Sequence, residues 1–217
     1  MIFVSYFSGK PYQICSDRLR LSLIKFKLLH NIEQAQNRGD KQLNISGKPQ
    51  FVKDNLLKYR QSVCWVDADS EIVKHPSLLF ENEHNTHLQI YNWLADNDNH
   101  VTRQNKFEKT ISWITGKNPN NISNNKLLCS SGTFAFNYSP ESLELLDKWI
   151  AEMKRTPHIP DDQVLDRIFN EGGYCNKLNY RWLPKSYNRM MRYNDWLSTS
   201  PVINNTETNM CEIKQTR

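Results

Sequence analysis

Two carboxylates that are separated by a single residue, those of Asp67 and Asp69, follow a short apolar run in this chain. The run, Val63–Val66, is typical of a strand that is covered on both faces, as parallel strands in α/β sheets are. Such sheets bind ligands at the carboxyl ends of their strands. In an extended chain both carboxylates would point to the same side, where their charges repel each other. A divalent ion such as Mg²⁺ or Mn²⁺ would relieve that repulsion and would also attract phosphate oxygens.

The same residues also have a structural interpretation. Asp and Ser are common in the turns that follow strands. Lys74 and His75 are close enough in the sequence to act as simple charge partners of the two aspartates. The spacing alone leaves the metal site and the turn as alternatives.

Composition bounds the class of protein. The chain has 217 residues, 38% of them hydrophobic and 24% charged, which suits one globular domain or a tight pair of domains with a full core. The net charge of +5 suits an anionic ligand but is too small to require nucleic acid. The apolar N-terminal run is too short for a signal peptide, and no run approaches the roughly 20 residues of a membrane helix.

Cysteine usage predicts a reducing compartment. The cysteines form no CxxC pair, and no spacing of Cys and His residues is typical of a zinc site. Cys64 and Cys129 lie in apolar runs, so we expect buried thiols. We therefore predict a cytoplasmic protein without a transmembrane segment.

The chain before the acidic pair has the order of a doubly wound domain. We expect an α/β, single-domain, Rossmann-like fold in which helices flank a mostly parallel sheet. Neither GxGxxG nor GxxxxGK[ST] occurs, which excludes those phosphate loops. The predicted elements are a strand over Ile2–Phe7, a helix from Ser16 or Asp17 to near Gly39, a short strand over Leu43–Ile45 and a helix over Gln50–Arg60.

The second half supplies further candidates. A strand over Leu127–Asn137 is interrupted by Ser131 and Gly132, and a glycine inside a strand marks either the close approach of a ligand or a bulge. Asp161 opens a helix that ends at Gly172, although an aspartate at a helix start is often only a cap. The polar segment 96–126 is long enough to be a lid or an acceptor-binding loop.

A basic cluster lies in and around the last predicted strand, Leu178–Leu183. Its members alternate with Tyr and Trp, so they would suit either a diphosphate or ordinary solvated charge. The members are Lys177, Arg181, Lys185, Arg189 and Arg192.

Taken in order, these motifs resemble the glycosyltransferases of the GT-A fold. Val66–Asp69 resembles their DxD motif, and Ser131–Asn137 is similar to the strand that lines their donor-sugar pocket. Asp161–Gln163 is similar to the Asp-Gln of retaining members, such as the family 8 galactosyltransferases. Leu183-Pro184 and Tyr187-Asn188 resemble the "LP…YN" that follows. The resemblance covers Ile2 to Asn188, and the compact size is similar to the small glycosyltransferase domains of large algal viruses.

The resemblance implies a role for each motif. Asp69 and Asp67 would bind Mn²⁺ or Mg²⁺, which bridges the phosphates of a nucleoside-diphosphate sugar, expected to be a UDP-sugar. The acceptor would be a glycan or glycoprotein, and a virus-encoded enzyme would act in the host cytoplasm. The other implied residues are Asp161, Asp162 and Gln163 beside the anomeric carbon, Ser131 and Gly132 against the donor, and Lys185 or Arg189 at the departing diphosphate.

The sequence also departs from the family pattern. Many metal-dependent members supply a third metal ligand from a C-terminal histidine, which residues 201–205 lack. Asn188, Asn204 and His158 are the alternatives, together with water and phosphate. The Asp-Gln match favours transfer with retention. We place the transferase domain at residues 1–196 and a polar tail at 197–217.

Two other functions fit parts of the pattern. Asp67 to Ser70 loosely resembles the DxDx[TV] of haloacid-dehalogenase phosphatases, but that motif normally ends the first strand of the core. A non-enzymatic domain that binds nucleotide or RNA would use the basic cluster but leaves the acidic motifs unexplained.

Overall fold

The computed structural model describes residues 1–81, 83–92, 129–190 and 201–205. The strands in these ranges are β1 (Ile2–Phe7), β2 (His30–Gln34), β3 (Val63–Val66), β4 (Ser70–Ile72), β5 (Leu88–Asn92), β6 (Cys129–Phe136), β7 (Tyr180–Leu183), β8 (Arg189–Met190) and β9 (Ile203–Asn205). The helices are α1 (Lys10–Lys25), α2 (Lys41–Ile45), α3 (Lys48–Tyr59), α4 (Ser77–Phe80), α5 (Pro140–Arg155), α6 (Asp161–Glu171) and α7 (Tyr174–Lys177). A 3₁₀ turn covers Lys185–Tyr187.

A six-stranded sheet in the order β2-β1-β3-β6-β5-β7 forms the centre of the fold. β1 pairs in parallel with β2 and β3, and β5 pairs in parallel with β7. β6 is antiparallel to both of its neighbours, β3 and β5. The predicted α/β class with a mostly parallel sheet is therefore confirmed.

Alternation along the strands divides the core between the two faces of the sheet. Trp65 and Phe134 pack on one face with residues of α3, α5 and α6. Cys64 and Ala135, their neighbours in the chain, pack on the other face with Leu19 of α1 and its surroundings. All four residues of β3 are buried, as expected for a strand covered on both sides.

The structure corrects the element boundaries before β3. α1 begins at Lys10, because Gly9 adopts a φ of +82° and Pro11 is placed in the first turn, where proline is favoured. The helix ends at Lys25, so the second strand is β2 rather than Leu43–Ile45. Residues 41–45 are helical because the Asp40 side chain caps them by accepting the Leu43 N–H.

A second, three-stranded sheet has the order β4-β9-β8. β9 pairs antiparallel with β4 and parallel with β8, and Ile203 within it is fully buried. Part of the segment expected to be a tail therefore packs on the domain, and the boundary at residue 197 stays a prediction.

The strand and the helix that were predicted in the second half correspond to β6 and α6. The side chain of Ser139 caps α5 by accepting the Ser142 N–H, and α6 begins at Asp161. The predicted lid at 96–126 lies outside the described residues. No helix in the described ranges is long and apolar enough to cross a membrane.

The described cysteines differ in state. Cys64 and Cys129 are buried free thiols, as predicted, and Cys175 is also free. Cys15 is buried and disulfide-bonded, which the prediction of a reducing compartment did not include.

Candidate active site

Asp67 and Asp69 lie in a tight turn between β3 and β4. The Ser70 N–H donates to the Asp67 carbonyl oxygen at 2.9 Å, which closes the turn. The chain is therefore not extended through the acidic pair, as the alternation argument had assumed. Both side chains nevertheless line the same cleft.

The cleft has a volume of about 500 Å³ and lies at the carboxyl ends of β1 and β3. The end of β1 and the first turn of α1 form one wall, and the segment from Asn37 to Lys48 forms another. The lining residues are Tyr6, Phe7, Ser8, Gly9, Pro11, Tyr12, Asn37, Gly39, Asp40, Lys41, Asn44, Ile45, Lys48, Trp65, Asp67, Ala68, Asp69, Ser131 and Asp161. This is the edge at which open α/β sheets bind ligands.

A buried lysine joins two carboxylates at the base of the cleft. Lys48 Nζ lies 2.7 Å from Asp161 Oδ2 and 3.1 Å from Asp67 Oδ1. It also donates to the carbonyl oxygen and the Oγ of Ser131, at 3.0 and 3.3 Å. Burial lowers the pKa of Lys48, but Asp161 and Asp67 outweigh that effect and raise the pKa overall.

Both the side chain and the backbone of Asp67 are fixed by hydrogen bonds. The Trp65 indole N–H donates to Oδ1 at 2.8 Å, and the Asp67 backbone N–H donates to the Gly132 carbonyl oxygen at 3.0 Å. Removal from water raises the pKa of Asp67, and the neighbouring Lys48 ammonium opposes that rise. Burial outweighs Lys48, so the pKa of Asp67 is raised overall and its ionised form is disfavoured in the cleft.

The surroundings of Asp69 disfavour the ionised form of its carboxylate. Burial, followed by the negative charge of Asp67, raises the pKa of Asp69 to about 7. Arg18 of α1 donates from Nη2 to the Asp69 carbonyl oxygen at 3.0 Å, which fixes the turn. A cation between the two carboxylates would favour the charged form of both.

The three predicted catalytic residues at the start of α6 have different environments. Asp161 is 4% exposed and contacts Lys48 instead of capping the helix, so the cap interpretation was wrong for this residue. Asp162 is half-buried and accepts the Gln163 N–H on Oδ1 at 2.8 Å, while Gln163 is exposed. Only Asp161 of the three lines the described cleft.

The residues predicted to bind the sugar donor differ in their position relative to the cleft. Ser131 lines the cleft and Gly132 lies beside it, on β6. Lys185 is buried and does not line the cleft. For Arg189 the structure describes the backbone in β8, and Arg192 lies outside the described residues.

The carboxylate oxygens of Asp67 and Asp69 fit a hard divalent ion whose other ligands do not come from these two residues. Asp67 and Asp69 are oxygen ligands whose mutual repulsion a cation would relieve. Across the described ranges, no cluster of three His, Cys, Asp or Glu side chains is arranged to hold a metal. The remaining ligands would come from phosphate oxygens and water.

The three candidates for a further ligand also differ. Asn188 is buried and donates to Ser130 Oγ at 2.8 Å. His158 is exposed in the loop before α6. Asn204 on β9 has a buried Oδ1 without a hydrogen-bond partner among the described residues, and none of the three candidates lines the cleft.

Comparison with known families decides the class of protein. Residues 12–214 match the profile of the nucleotide-diphospho-sugar transferases. The chain belongs to this family. The transferase is therefore a glycosyltransferase, which favours that interpretation over a phosphatase or an RNA-binding domain. A search of curated proteins finds no match in sequence.

Solved structures show that the transferase has the GT-A fold. A glycosyltransferase involved in the glycosylation of the major capsid of PBCV-1 superposes with a TM-score of 0.67 at 8% identity, covering 99% of this chain and 98% of that one. The galactosyltransferase LgtC gives 0.53 at 10% identity, covering 95% and 87%. Mouse xyloside xylosyltransferase 1 gives 0.50 at 13% identity, covering 96% and 99%. At these identities the likeness concerns the fold.

Two residues of the transferase site were not predicted from the sequence. Lys48 lies 19 positions before Asp67, and Arg18 lies 51 positions before Asp69. Neither belongs to a motif with recognisable spacing. A lysine at the first position of a helix, directly before a proline, carries no signal that it will be buried.

Proposed function

We propose that the transferase is metal-dependent and moves a sugar from a nucleoside-diphosphate donor, expected to be a UDP-sugar, to a glycan or glycoprotein acceptor. The observation that carries this proposal is that Asp67 and Asp69 line one cleft at the ligand-binding edge of the sheet. Burial and neighbouring negative charge disfavour the ionised forms of Asp67 and Asp69, and a cation in addition to Lys48 would stabilise them.

In this proposal Asp67 and Asp69 hold a Mn²⁺ or Mg²⁺ ion. When bound, such an ion acts as a Lewis acid that stabilises the charge on the departing diphosphate. The start of α1 supports an anion at the same place, because Gly9 and Pro11 line the cleft and the first turn of the helix contains no acidic residue. The N-terminus of a helix favours phosphate through its backbone N–H groups and its dipole.

The start of α6 is assigned to the reacting sugar. Asp161 is held by Lys48 in the cleft, and Asp162 and Gln163 follow it on the same turn. A carboxylate near the anomeric carbon would stabilise the positive charge that develops there. We assign retention of configuration on the basis of the Asp-Gln sequence, with Ser131 and Gly132 beside the donor.

The remaining assignments rest on the sequence. Lys185 or Arg189 would assist the departing diphosphate, which for Lys185 requires its buried side chain to reach the donor. No nucleic acid is expected as a partner. The expected location is the cytoplasm, that of the host if the chain is virus-encoded.

Thermal stabilisation by UDP, GDP and CMP, each with and without Mn²⁺, tests the donor site. A ligand that binds only the folded state raises the Tm. We expect a rise with UDP that requires Mn²⁺ and is lost in Asp69→Ala. The control is Asp54→Ala, because Asp54 is an exposed carboxylate on α3 outside the cleft.

The outcomes separate the parts of the proposal. A Mn²⁺-dependent rise with GDP in place of UDP would change the donor class and keep the metal site. A rise that persists in Asp69→Ala would contradict the assignment of Asp69 as a metal ligand. No rise with any nucleotide would remove the proposed donor site.

A further inference from the structure

Lys48 is a buried cation that already occupies the acidic site. Its side chain is 4% exposed, and Nζ contacts Asp161 Oδ2 at 2.7 Å and Asp67 Oδ1 at 3.1 Å. The two oxygen atoms of Ser131 accept at 3.0 and 3.3 Å, and Nζ also lies 5.1 Å from the centre of the Trp65 ring. Asp67 Oδ1 and the two Ser131 oxygens accept the hydrogen bonds of the ammonium group, and Asp161 Oδ2 is its nearest charge partner.

The position of Lys48 affects any second cation in the cleft. Its ammonium group lies against one of the two carboxylates that are assigned to the metal. A divalent ion at Asp67 would therefore be repelled by a fixed positive charge a few ångströms away, in surroundings that screen it less than water does.

We infer that Lys48 is a positioning residue that keeps the affinity of the free enzyme for a divalent ion low, so that the ion is retained together with the donor diphosphate. This inference rests on the proposed metal-dependent function. The diphosphate supplies the negative charge that offsets Lys48 and completes the coordination of the ion. Metal and donor then bind as a unit, and the ion leaves readily once the nucleotide product has gone.

Three variants separate the charge of Lys48 from its packing. Lys48→Arg keeps the positive charge. Lys48→Met removes it but leaves Asp161 buried without its cation, which is strongly destabilising. Lys48→Met/Asp161→Asn removes both charges of that pair, so it preserves the neutrality of the buried region and leaves Asp67 and Asp69 in place.

The experiment titrates Mn²⁺ alone into the full chain and repeats the titration with saturating UDP. Calorimetry and electron paramagnetic resonance of free Mn²⁺ measure binding without reference to turnover. We expect the double variant to bind Mn²⁺ alone at least about tenfold more tightly than wild type. Lys48→Arg should bind as weakly as wild type, and UDP should enhance Mn²⁺ affinity far less in the double variant.

The outcomes also separate this inference from the proposed function. A folded double variant with wild-type Mn²⁺ affinity, beside a wild type that binds Mn²⁺ with UDP, would overturn the inference alone and leave Lys48 as the structural partner of Asp161. Failure of the wild type to bind Mn²⁺ even with UDP would overturn both.

Discussion

The indole N–H of Trp65 donates a 2.8 Å hydrogen bond to Oδ1 of Asp67, two residues further along the chain. Trp65 itself is fixed by stacking on Phe134 and by edge contacts with Tyr6 and Phe51. The aromatic cluster on one face of the sheet therefore orients a carboxylate of the candidate site. A group that orients a metal ligand contributes to affinity without contacting the metal.

Trp65→Phe tests this relationship. The substitution keeps an aromatic ring but removes the N–H donor to Asp67, so we expect the affinity for UDP with Mn²⁺ to fall by roughly tenfold. Calorimetric titration measures the change. The control is Trp149→Phe, because Trp149 is buried in the same core and its N–H has no hydrogen-bond partner among the described residues. Equal losses in both variants would indicate a packing effect.

Asp162→Asn tests the assignment of Asp162 to the reacting sugar. We expect kcat to fall by about 100-fold or more, while the affinity for UDP changes by less than about twofold, because the carboxylate acts on the sugar and not on the nucleotide. Steady-state kinetics and nucleotide titration measure the two quantities. Glu171→Gln, at the exposed end of the same helix, is the control. A variant that loses only thermal stability would show that Asp162 is a helix-start residue.

The acid limb of the pH profile provides a separate test. Burial, followed by the charge of Asp161, raises the pKa of Asp162 above its ordinary value. If the ionised carboxylate is required, kcat decreases as the pH falls through this raised pKa. Asp161→Asn removes the neighbouring negative charge, so it should lower the pKa of Asp162 and move the acid limb to lower pH. An acid limb that does not move would disconnect it from Asp162.

Ile203→Ala tests whether β9 is part of the domain. Ile203 is fully buried against the core that contains Leu19 and Val66. We expect the free energy of unfolding to fall by about 2–5 kcal/mol, as measured by urea denaturation. Leu21→Ala, at a 68% exposed position on α1, should change it by no more than about 0.5 kcal/mol. A similar small effect at Ile203 would contradict the placement of β9.

The parts of the fold that the sequence predicts are those with strong local signals. Val63–Val66 is apolar because both of its faces are covered, and α6 shows its buried face at helical spacing from Val164 to Phe169. β2 was missed because it is an edge strand with the sequence HNIEQ and no buried residue. Its strand conformation comes from pairing with β1, which no local pattern encodes.

The candidate site divides in the same way. Asp67 and Asp69 were predicted because the acidic pair directly follows the central strand. Lys48 and Arg18 were not, because the fold brings them to the turn from other helices. Asp161 was predicted as a candidate, but its pairing with Lys48 depends on the fold bringing the start of α3 to the start of α6.

The small sheet has a consequence for how the protein is synthesised. β4 directly follows the Asp67–Asp69 turn, yet its hydrogen-bonded neighbour β9 lies more than 130 residues later in the chain. A ribosome must therefore synthesise the chain beyond residue 205 before that pairing can form. Contacts between such distant segments slow folding, because a long loop must close first. We expect nascent chains that end before Ile203 to lack the β4–β9 pairing next to the Asp67–Asp69 turn, even when the central sheet has already folded.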